Sequence, residues 1–365
     1  MSPAEPRPAV IKSPSPPPSS RAAFNPSVRR AVGLCVLLGT SLGCRLAQTP
    51  TAPAWFPTLT PAAMTGLPGA TGPQGGPPAS PSAVQQGGPE AQSASPVPPA
   101  SPMPALATSP APAAHTASDG MPLTFIPAGP FLMGASETDA ASSPNERPKR
   151  PVTLDAFWID STEVTNAMYR ECVREGICSP PERMDAIDDQ GLSLHPVAWV
   201  SWADASQYCT WAGRRLPTEA EWEKAARGTD GRLYPWGETA PTGSLVNFAD
   251  INLAEAWADN EVDDGYRSTA PVGEFPMGAS PYGVHDVAGN VWEWVADCYD
   301  ETYYRNQIDL NPLGPEQSAN CRHGVRGGSF LSTARNIRAA FRFGYAPDTT
   351  ASDLGFRCAM DGDPD

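Results

Sequence analysis

The sequence predicts a mixed α+β domain of irregular architecture, with short strands, about three helices and long ordered loops. Three observations lead to this prediction. More than half of the 44 prolines precede Met121, so a packed domain is expected only from about residue 120 onward. Beyond Gly228, Gly, Pro, Asp and Asn are interleaved with tryptophans, a composition typical of turns and loops. Six cysteines fall in the part of the chain from Met121 onward, and long loops commonly need disulfides or ions to hold them.

The clearest secondary-structure signals lie in the first half of this domain. Residues 125–134 predict two short strands around a turn at Gly129, and the alternation of residues 152–159 predicts another strand. Three helices are predicted, each after a hydroxyl-bearing capping residue: Thr165, Ser201 and Thr218. The last of these caps forms a capping box with Glu221, and its helix is expected to end at Gly228.

The segment before the domain is expected to have three parts. Residues 1–28 are rich in Pro, Ser and Ala and are expected to be disordered. Residues 29–44 combine two arginines, a short apolar run and a small residue before Cys44, which is the pattern of a secretion signal. Residues 45–119 form a Pro/Ala/Ser/Gly-rich tether with almost no charge, which is expected to hold the domain at a distance from a membrane or wall. The packed domain then covers residues 120–362.

The end of the signal resembles a bacterial lipobox. Ser41 stands where that pattern prefers Leu, so the lipobox is degenerate, and simple cleavage or a retained anchor stays open as an alternative. With lipidation at Cys44, the protein is expected to be exported to the cell envelope as a periplasmic or outer-membrane lipoprotein. It would contact the membrane through the lipid anchor only.

Charge and histidine content exclude two classes of function. From Met121 onward, 37 carboxylates stand against 19 basic side chains, a formal net charge of −18. Nucleic acid is therefore excluded as a partner, because its phosphates require basic surfaces. The four histidines of the chain are not spaced like zinc ligands. The acidic balance is compatible with cation binding, although surface carboxylates commonly serve only solubility.

The stretch of residues 282–297 carries the strongest chemical signal. It places Glu293 between two large aromatic residues, Trp292 and Trp294, which favour burial. A buried carboxylate needs a cation, an arginine or several N–H donors, because an unpaired buried charge is costly. Asp286 and the carbonyls around Gly289 add hard oxygen ligands of the kind that calcium prefers. Two interpretations stay open at this point: a calcium site, or a carboxylate that is solvated or paired with arginine beside a two-tryptophan core.

Segments spread over the whole domain together resemble the formylglycine-generating enzyme family, whose domain is also called the sulfatase-modifying factor domain. The longest are Val-Ser-Trp-Ala-Asp-Ala at 200–205, Arg-Leu-Pro-Thr-Glu-Ala-Glu-Trp at 215–222, Ala-Gly-Asn-Val-Trp-Glu-Trp at 288–294, Arg-Gly-Gly-Ser-Phe at 326–330 and Asp-Leu-Gly-Phe-Arg at 353–357. Shorter ones lie at 126–129, 133–134, 163–166, 195–197, 209–213, 234–237 and 264–266. The resemblance implies a fold similar to C-type lectins, with little regular secondary structure.

The resemblance also implies two calcium sites, built from side-chain and carbonyl oxygens that suit a large cation. The first would use the side chains of Asn247 and Asp264 and the carbonyls of Phe248 and Tyr266. The second would use the side chains of Asp286, where the family often has Asn, and Glu293, with the carbonyls of Gly289 and Val291.

The disulfide pattern is open on the sequence alone, because six cysteines allow many different pairings. The spacing of Cys172 and Cys178 is compatible with a small local loop. The resemblance implies a long-range bridge between Cys209 and Cys358. With that bridge implied, Cys172–Cys178 and Cys298–Cys321 are the expected remaining pairs.

Active members of the family oxidise a sulfatase cysteine to formylglycine with a copper ion, which two cysteines hold shortly after the Gly-Gly-Ser-Phe motif. In this chain Ser332 occupies the first of these positions, and the second falls near Ile337 in a segment that looks shortened. No cysteine occurs between Cys321 and Cys358. Because copper(I) requires soft thiolate ligands, neither copper nor formylglycine-generating activity is expected.

Three functions are compatible with these features. The first is an exported, non-catalytic binding module, stabilised by calcium and disulfides, for a peptide, glycan or envelope component. The second is an enzyme, either a formylglycine-generating oxidase or one with altered chemistry in the inherited pocket. The third is a structural protein of the envelope that uses only its tether and lipid.

The second hypothesis has a defined set of pocket candidates: Trp292, Arg326, Ser329, Ser332, Arg335 and Arg338. A serine nucleophile needs a base, and the nearest candidate by sequence is His323. The arginines of the strand expected at residues 335–342 can instead pair with carboxylates of the core, which is the simpler role.

Overall fold

The computed structural model describes residues 115–318 and 321–362. The expectations for residues 1–28, for the signal at 29–44 with Cys44, and for the tether up to residue 114 lie outside the described residues. Within the described ranges the strands are β1 (His115–Thr116), β2 (Pro122–Ile126), β3 (Gly129–Met133), β4 (Arg150–Leu154), β5 (Phe157–Asp160), β6 (Trp292–Cys298), β7 (His323–Arg326), β8 (Arg342–Tyr345), β9 (Leu354–Phe356) and β10 (Ala359–Asp361).

The helices of the same part of the chain are α1 (Asn166–Arg174), α2 (Asp185–Asp188), α3 (Trp202–Trp211), α4 (Glu219–Arg227) and α5 (Tyr303–Asn306). The three helices predicted from capping residues are confirmed as α1, α3 and α4. Each begins directly after its predicted cap, whose hydroxyl accepts a backbone N–H at 3.2 Å. Gly228 ends α4 at a φ of 71°, a conformation that glycine adopts without strain. Among the described residues, no helix combines the length and apolarity needed to span a bilayer.

The strands form two four-stranded sheets and one hairpin. The first sheet has the order β1-β2-β5-β10 and is antiparallel throughout. The second four-stranded sheet has the order β8-β7-β6-β9, in which only the β6–β9 pair is parallel. Strands β3 and β4 pair with each other. The predicted mixed α+β class with little regular secondary structure is confirmed.

The segment predicted as one strand over residues 152–159 is two strands in the structure, so this prediction was wrong. Strand β4 pairs with β3, whereas β5 lies between β2 and β10 in the first sheet. The chain changes sheets at Asp155, whose backbone N–H donates to the side chain of Asn311 at 2.8 Å. The break is invisible in the pattern because apolar residues continue on both sides of it.

The folded domain also begins earlier than the expected boundary between residues 119 and 120. Strand β1 pairs with β2 in register, with His115 opposite Leu123. Asp119 is bonded to the guanidinium of Arg214 and accepts the hydroxyl of Tyr208 at 2.7 Å. The last residues assigned to the tether therefore belong to the domain, because a buried ion pair fixes them.

Helix α4 is buried along its whole length, although five of its nine residues are charged. Glu223 accepts hydrogen bonds from Arg326 at 2.6 Å, from Arg227 at 2.7 Å and from the backbone N–H of Gly134 at 2.7 Å. Burial acts to raise the pKa of Glu223, but the charges of Arg326 and Arg227 hold it below its usual range. The helix is therefore fixed in the core by ion pairs as well as by apolar packing.

The arginines after residue 335 confirm the simpler role expected for them. Arg342 forms a bidentate pair with Glu219 at 2.8 and 2.6 Å, and Arg338 forms one with Glu146 at 2.8 Å on both oxygens. All four side chains are buried. The strand expected over residues 335–342 begins only at Arg342, because turns occupy residues 335–340.

Glu223→Ala is expected to lower the free energy of unfolding by about 3–5 kcal/mol, because it leaves Arg326 and Arg227 without their buried carboxylate. Denaturant unfolding of the full chain measures this loss. Glu171→Ala is the matched control: its pair with Arg174 lies on the surface of α1 and should contribute less than about 1 kcal/mol. Equal losses for the two variants would contradict the ion-pair account of the core.

Candidate functional site

The loop of residues 286–290 positions polar groups of the candidate site. Asp286, Gly289 and Asn290 all have left-handed backbone conformations, with φ of 55°, 75° and 54°. A Cβ atom on Gly289 would lie 2.0 Å from the backbone oxygen of Asn247. Only glycine fits there, because the loop combines a tight turn with a close approach of two backbone segments. The loop leads directly into β6, which carries Glu293.

Glu293 is fully buried and accepts three hydrogen bonds. The guanidinium of Arg357 donates to both carboxylate oxygens, at 2.6 and 2.7 Å, and the indole N–H of Trp222 donates at 2.7 Å. The carboxylate is therefore paired with an arginine. The pair is bidentate, the geometry in which arginine binds carboxylates best.

Two further carboxylates lie beside this pair. Asp286 accepts the backbone N–H of Gly273 at 2.6 Å, and Glu163 accepts the amide N–H of Asn290 at 3.0 Å. The second oxygen of Glu163 is buried and has no hydrogen-bond partner. Burial, and then the charge of Asp286, raise the pKa of Glu163 well above its usual range, and burial raises the pKa of Asp286.

The charges of this cluster do not balance. Glu163, Asp286 and Glu293 are three buried carboxylates, and Arg357 is the guanidinium that acts on all three. Two negative charges therefore need compensation by protons or by a cation. Glu163 and Arg357 were not predicted from the sequence as members of the site, although both lie in segments that carry the family resemblance.

The residues of the other expected calcium site also come together. Asp264 accepts the backbone N–H groups of Phe248 at 3.0 Å and Tyr266 at 2.8 Å, so the two carbonyl-bearing residues flank its carboxylate. The side-chain oxygen of Asn247 is buried without a partner, while its N–H group donates to Ser268 at 2.8 Å. Burial raises the pKa of Asp264 to about 7.

The donor sets fit a hard cation. Each offers carboxylate, amide or carbonyl oxygens from loops. Asn247 Oδ1 in the first set is buried without a partner, and so is Glu163 Oε2 beside the second set. Hydrogen bonds connect the two groups of residues. The side-chain N–H of Asn247 donates to the side-chain oxygen of Asn290 at 3.3 Å, and the amide of Asn290 donates to Glu163. Among the described residues no group of three or more His, Cys, Asp or Glu side chains has metal-binding geometry, so carbonyl and amide oxygens would have to complete any such site.

Ser332 lies in a tight turn after the Gly-Gly-Ser-Phe motif and is buried. Its hydroxyl accepts the backbone N–H of Ser329 at 3.0 Å, and its carbonyl accepts the backbone N–H of Ala249 at 3.0 Å. The hydroxyl of Ser329 donates to the carboxylate of Asp353 at 2.7 Å. Burial raises the pKa of Asp353. Both serines thus satisfy local backbone and carboxylate groups.

Ile337, near which the second copper position is expected, is fully buried. It packs in an apolar cluster with Tyr234, Val246, Phe248 and Ala288. Its side chain and that of Ser332 meet at Gly328, where a Cβ atom would lie 2.8 Å from Ile337 Cγ2 and 3.2 Å from Ser332 Cβ. Both positions therefore adjoin Gly328, where Ile337 contributes a methyl group and Ser332 a side chain that ends in a hydroxyl.

The remaining pocket candidates are dispersed. Arg326 faces Glu223 in the core, Arg338 is paired with Glu146, and Trp292 packs against Phe341 at 5.9 Å between ring centroids. The hydrogen bonds of Arg335 go to Ala141 and Ser143. The prediction that these residues line one pocket with Ser332 is wrong for both buried arginines, because core carboxylates hold them.

His323 does not serve as a base for Ser332. Its Nδ1 atom faces the carbonyl of Ala296 at 3.3 Å, and its ring stacks on Trp202 at 3.9 Å. Ser332 does not line either of two cavities found among the described residues, of 840 and 430 Å³. A serine nucleophile with a histidine base is therefore not assembled here.

Three disulfides are present: Cys172–Cys178, Cys209–Cys358 and Cys298–Cys321. These are the pairs expected from the sequence. The longest, across 149 residues, joins α3 to the segment that follows Arg357. It therefore connects α3 to the segment that carries Arg357.

Residues 108–362 match the family described as the sulfatase-modifying factor enzyme 1-like domain, and the chain belongs to this family. The formylglycine-generating enzyme of Streptomyces coelicolor is 35% identical over 317 residues, which cover 72% of this chain and 96% of that relative. The formylglycine-generating enzyme of Bos taurus is 35% identical over 283 residues, covering 65% and 74%. The inactive C-alpha-formylglycine-generating enzyme 2 of Mus musculus is 33% identical over 290 residues, covering 65% and 85%.

Solved structures share the fold. PvdO from Pseudomonas aeruginosa has a TM-score of 0.58 and 25% identity, covering 69% of this chain and 99% of its own. Variable protein 1 of Treponema denticola has a TM-score of 0.52 and 21% identity, with the same coverage, and this likeness concerns the fold alone.

Proposed function

We propose that this protein is an exported, lipid-anchored binding module, in which the site inherited from the formylglycine-generating enzymes is non-catalytic. The observation that carries the proposal is the pair of residues at the inherited copper positions, Ser332 and Ile337. Neither side chain contains sulfur, and copper(I) requires soft sulfur ligands. The named relatives include both formylglycine-generating enzymes and a protein named as inactive, so either outcome has a precedent in the family.

The surroundings of the two positions also disfavour catalysis. The Ser332 hydroxyl accepts the backbone N–H of Ser329, whereas the ring nitrogens of His323 face Cys321 Sγ and the carbonyl of Ala296. Ile337 packs among aromatic and aliphatic side chains, where a charged intermediate would be poorly solvated. The segment thus supports the fold rather than a reaction.

Calcium is proposed as the stabilising cation. A divalent ion would supply the two positive charges that the cluster of Glu163, Asp286, Glu293 and Arg357 needs. The unpartnered oxygens of Glu163 and Asn247 support this assignment, because buried polar atoms normally have partners. Asp286 is an ionisable carboxyl group where the family often has a neutral Asn, so its ionised form adds to the demand for a cation.

A surface for a ligand is proposed next to the inherited site. The cavity of 430 Å³ is lined by Arg335, Asn336, Phe341 and Phe343, among others. Phe343 is 40% exposed and Arg335 is exposed, so the cavity offers an aromatic face and a cationic edge in a domain that is otherwise acidic. Such a surface suits a peptide, a glycan or another component of the envelope.

The full chain, supplied with copper(I) and a cysteine-bearing sulfatase peptide, is expected to form no aldehyde above the level of the peptide alone. An aldehyde-reactive probe and peptide mass measure the product. Ser332→Cys/Ile337→Cys is expected to bind copper(I), because it restores two thiols at adjoining positions, and Ser332→Cys alone is the matched control with one thiol. Aldehyde formation by the unchanged protein would contradict the proposal.

Cys44→Ser is expected to abolish incorporation of a fatty-acid label and to move the protein from the membrane fraction to the soluble fraction of the envelope. The lipid on Cys44 is the proposed membrane attachment, so its loss releases the chain from the membrane. Cys35→Ser is the matched control, because Cys35 lies in the apolar run of the same signal. Unchanged labelling and fractionation of Cys44→Ser would rule out the anchor.

A further inference from the structure

The Cys298–Cys321 disulfide differs from the other two in its exposure. The four sulfur-bearing residues of the other bridges are at most 5% exposed and lie in the main apolar core. Cys321 is partly exposed, whereas Cys298 is 2% exposed. This bridge therefore joins one accessible sulfur to one buried sulfur, an arrangement that allows an external group to reach only Cys321.

A histidine ring lies against the accessible sulfur. His323 Nε2 is 3.6 Å from Cys321 Sγ. Its other nitrogen, Nδ1, faces the carbonyl of Ala296 at 3.3 Å, and because a carbonyl only accepts, Nδ1 carries the proton. Nε2 therefore carries the free lone pair, and it is the nitrogen that faces Cys321 Sγ. Burial lowers the pKa of His323, so the ring is neutral at neutral pH and able to accept a proton.

The neighbours hold this arrangement in place. The His323 ring stacks on Trp202 at 3.9 Å and 15°, and the indole N–H of Trp202 donates to the carbonyl of Val295 at 2.9 Å. An imidazole fixed beside a cysteine sulfur can accept the proton of the thiol and so promote formation of the thiolate.

We propose that Cys321, Cys298 and His323 form a thiol–disulfide exchange site, with Cys321 as the attacking sulfur, Cys298 as the resolving sulfur and His323 as the proton acceptor. Its substrates are external disulfides, and external dithiols in the reverse direction. The site is independent of the inherited copper positions, and the inference goes beyond the proposed binding function.

The exchange proceeds in two steps. In the reduced form, His323 Nε2 takes the proton of the Cys321 thiol, and the thiolate attacks one sulfur of an external disulfide. A bond forms between Cys321 Sγ and that sulfur, and the other external sulfur leaves as a thiolate that takes the proton from His323. Cys298 then attacks Cys321 Sγ, re-forms the internal disulfide and releases the second external sulfur, which takes the Cys298 proton. Two electrons pass from the cysteines to the external disulfide, and a dithiol reductant reverses both steps.

The first test uses the unmodified full chain. It is treated under native conditions with limiting dithiothreitol, quenched with an alkylating reagent at increasing times and mapped by peptide mass. Cys298 and Cys321 are expected to be alkylated at least tenfold faster than the cysteines of the other two bridges. Peptide mapping separates them from Cys35 and Cys44. Opening of all three bridges at one rate, or earlier opening of Cys172–Cys178, would overturn the proposal.

The second test addresses His323 in the Cys298→Ser background, which leaves the Cys321 thiol free. Glutathione disulfide is expected to form a mixed disulfide at Cys321, and the alkylation rate against pH should give a thiol pKa below the usual value of about 8.5. Adding His323→Asn should slow alkylation at neutral pH about tenfold, whereas His195→Asn, a histidine bonded to Thr269, should not. Equal rates with and without His323 would overturn its role. An unperturbed thiol pKa would overturn the site.

Discussion

The bidentate pair between Glu293 and Arg357 is the interaction on which the rest of the structure depends. It joins β6 to the short segment between β9 and β10, and the indole of Trp222 adds α4 to the same carboxylate. Arg357 also donates to the carbonyls of Asp160 and His285. One buried contact thereby fixes the second sheet, the first sheet and the central helix relative to one another. Loss of either partner would leave a charge in the core, which is among the most costly changes a protein can suffer.

This pair also explains why a fold with so little regular structure is stable. Short strands and long loops leave many backbone groups to be satisfied outside helices and sheets, and buried arginines satisfy several carbonyls each. Arg326, for example, donates to Ala339 and Phe341 besides its carboxylate partner Glu223. Disulfides then close the long connections. In the cluster of Glu163, Asp286 and Glu293 around Arg357, the negative charges of the carboxylates exceed the positive charge of the guanidinium.

The sequence reveals the local features of this fold and leaves the long-range pairing open. The helix caps at Thr165, Ser201 and Thr218 follow from short-range chemistry, and so does the turn at Gly289. The partner of Glu293 does not, because Arg357 lies 64 residues away and many arginines are available. The division of residues 152–159 between two sheets is equally hidden, since apolar residues continue through the break. Family resemblance supplied the disulfide partners that spacing alone does not decide.

The positions of Ser332 and Ile337 carry the proposal of a non-catalytic site. Both residues adjoin Gly328, where the Ile337 side chain packs and the Ser332 hydroxyl accepts a hydrogen bond. The surfaces proposed for binding and for disulfide exchange lie on other parts of the same rigid frame. This division is possible because the core, with its ion pairs and proposed cations, does not depend on the reaction of the relatives.

The central claim is that cations balance the buried carboxylates around Arg357 and Asp264. The most direct measurement is the calcium content of the purified full chain by elemental analysis, before and after chelation, together with its thermal unfolding midpoint. The account predicts about two calcium ions per chain and a fall in the midpoint when they are removed, because a ligand that binds only the folded state stabilises it. A chain that carries no calcium and unfolds at the same temperature with and without it would contradict the account.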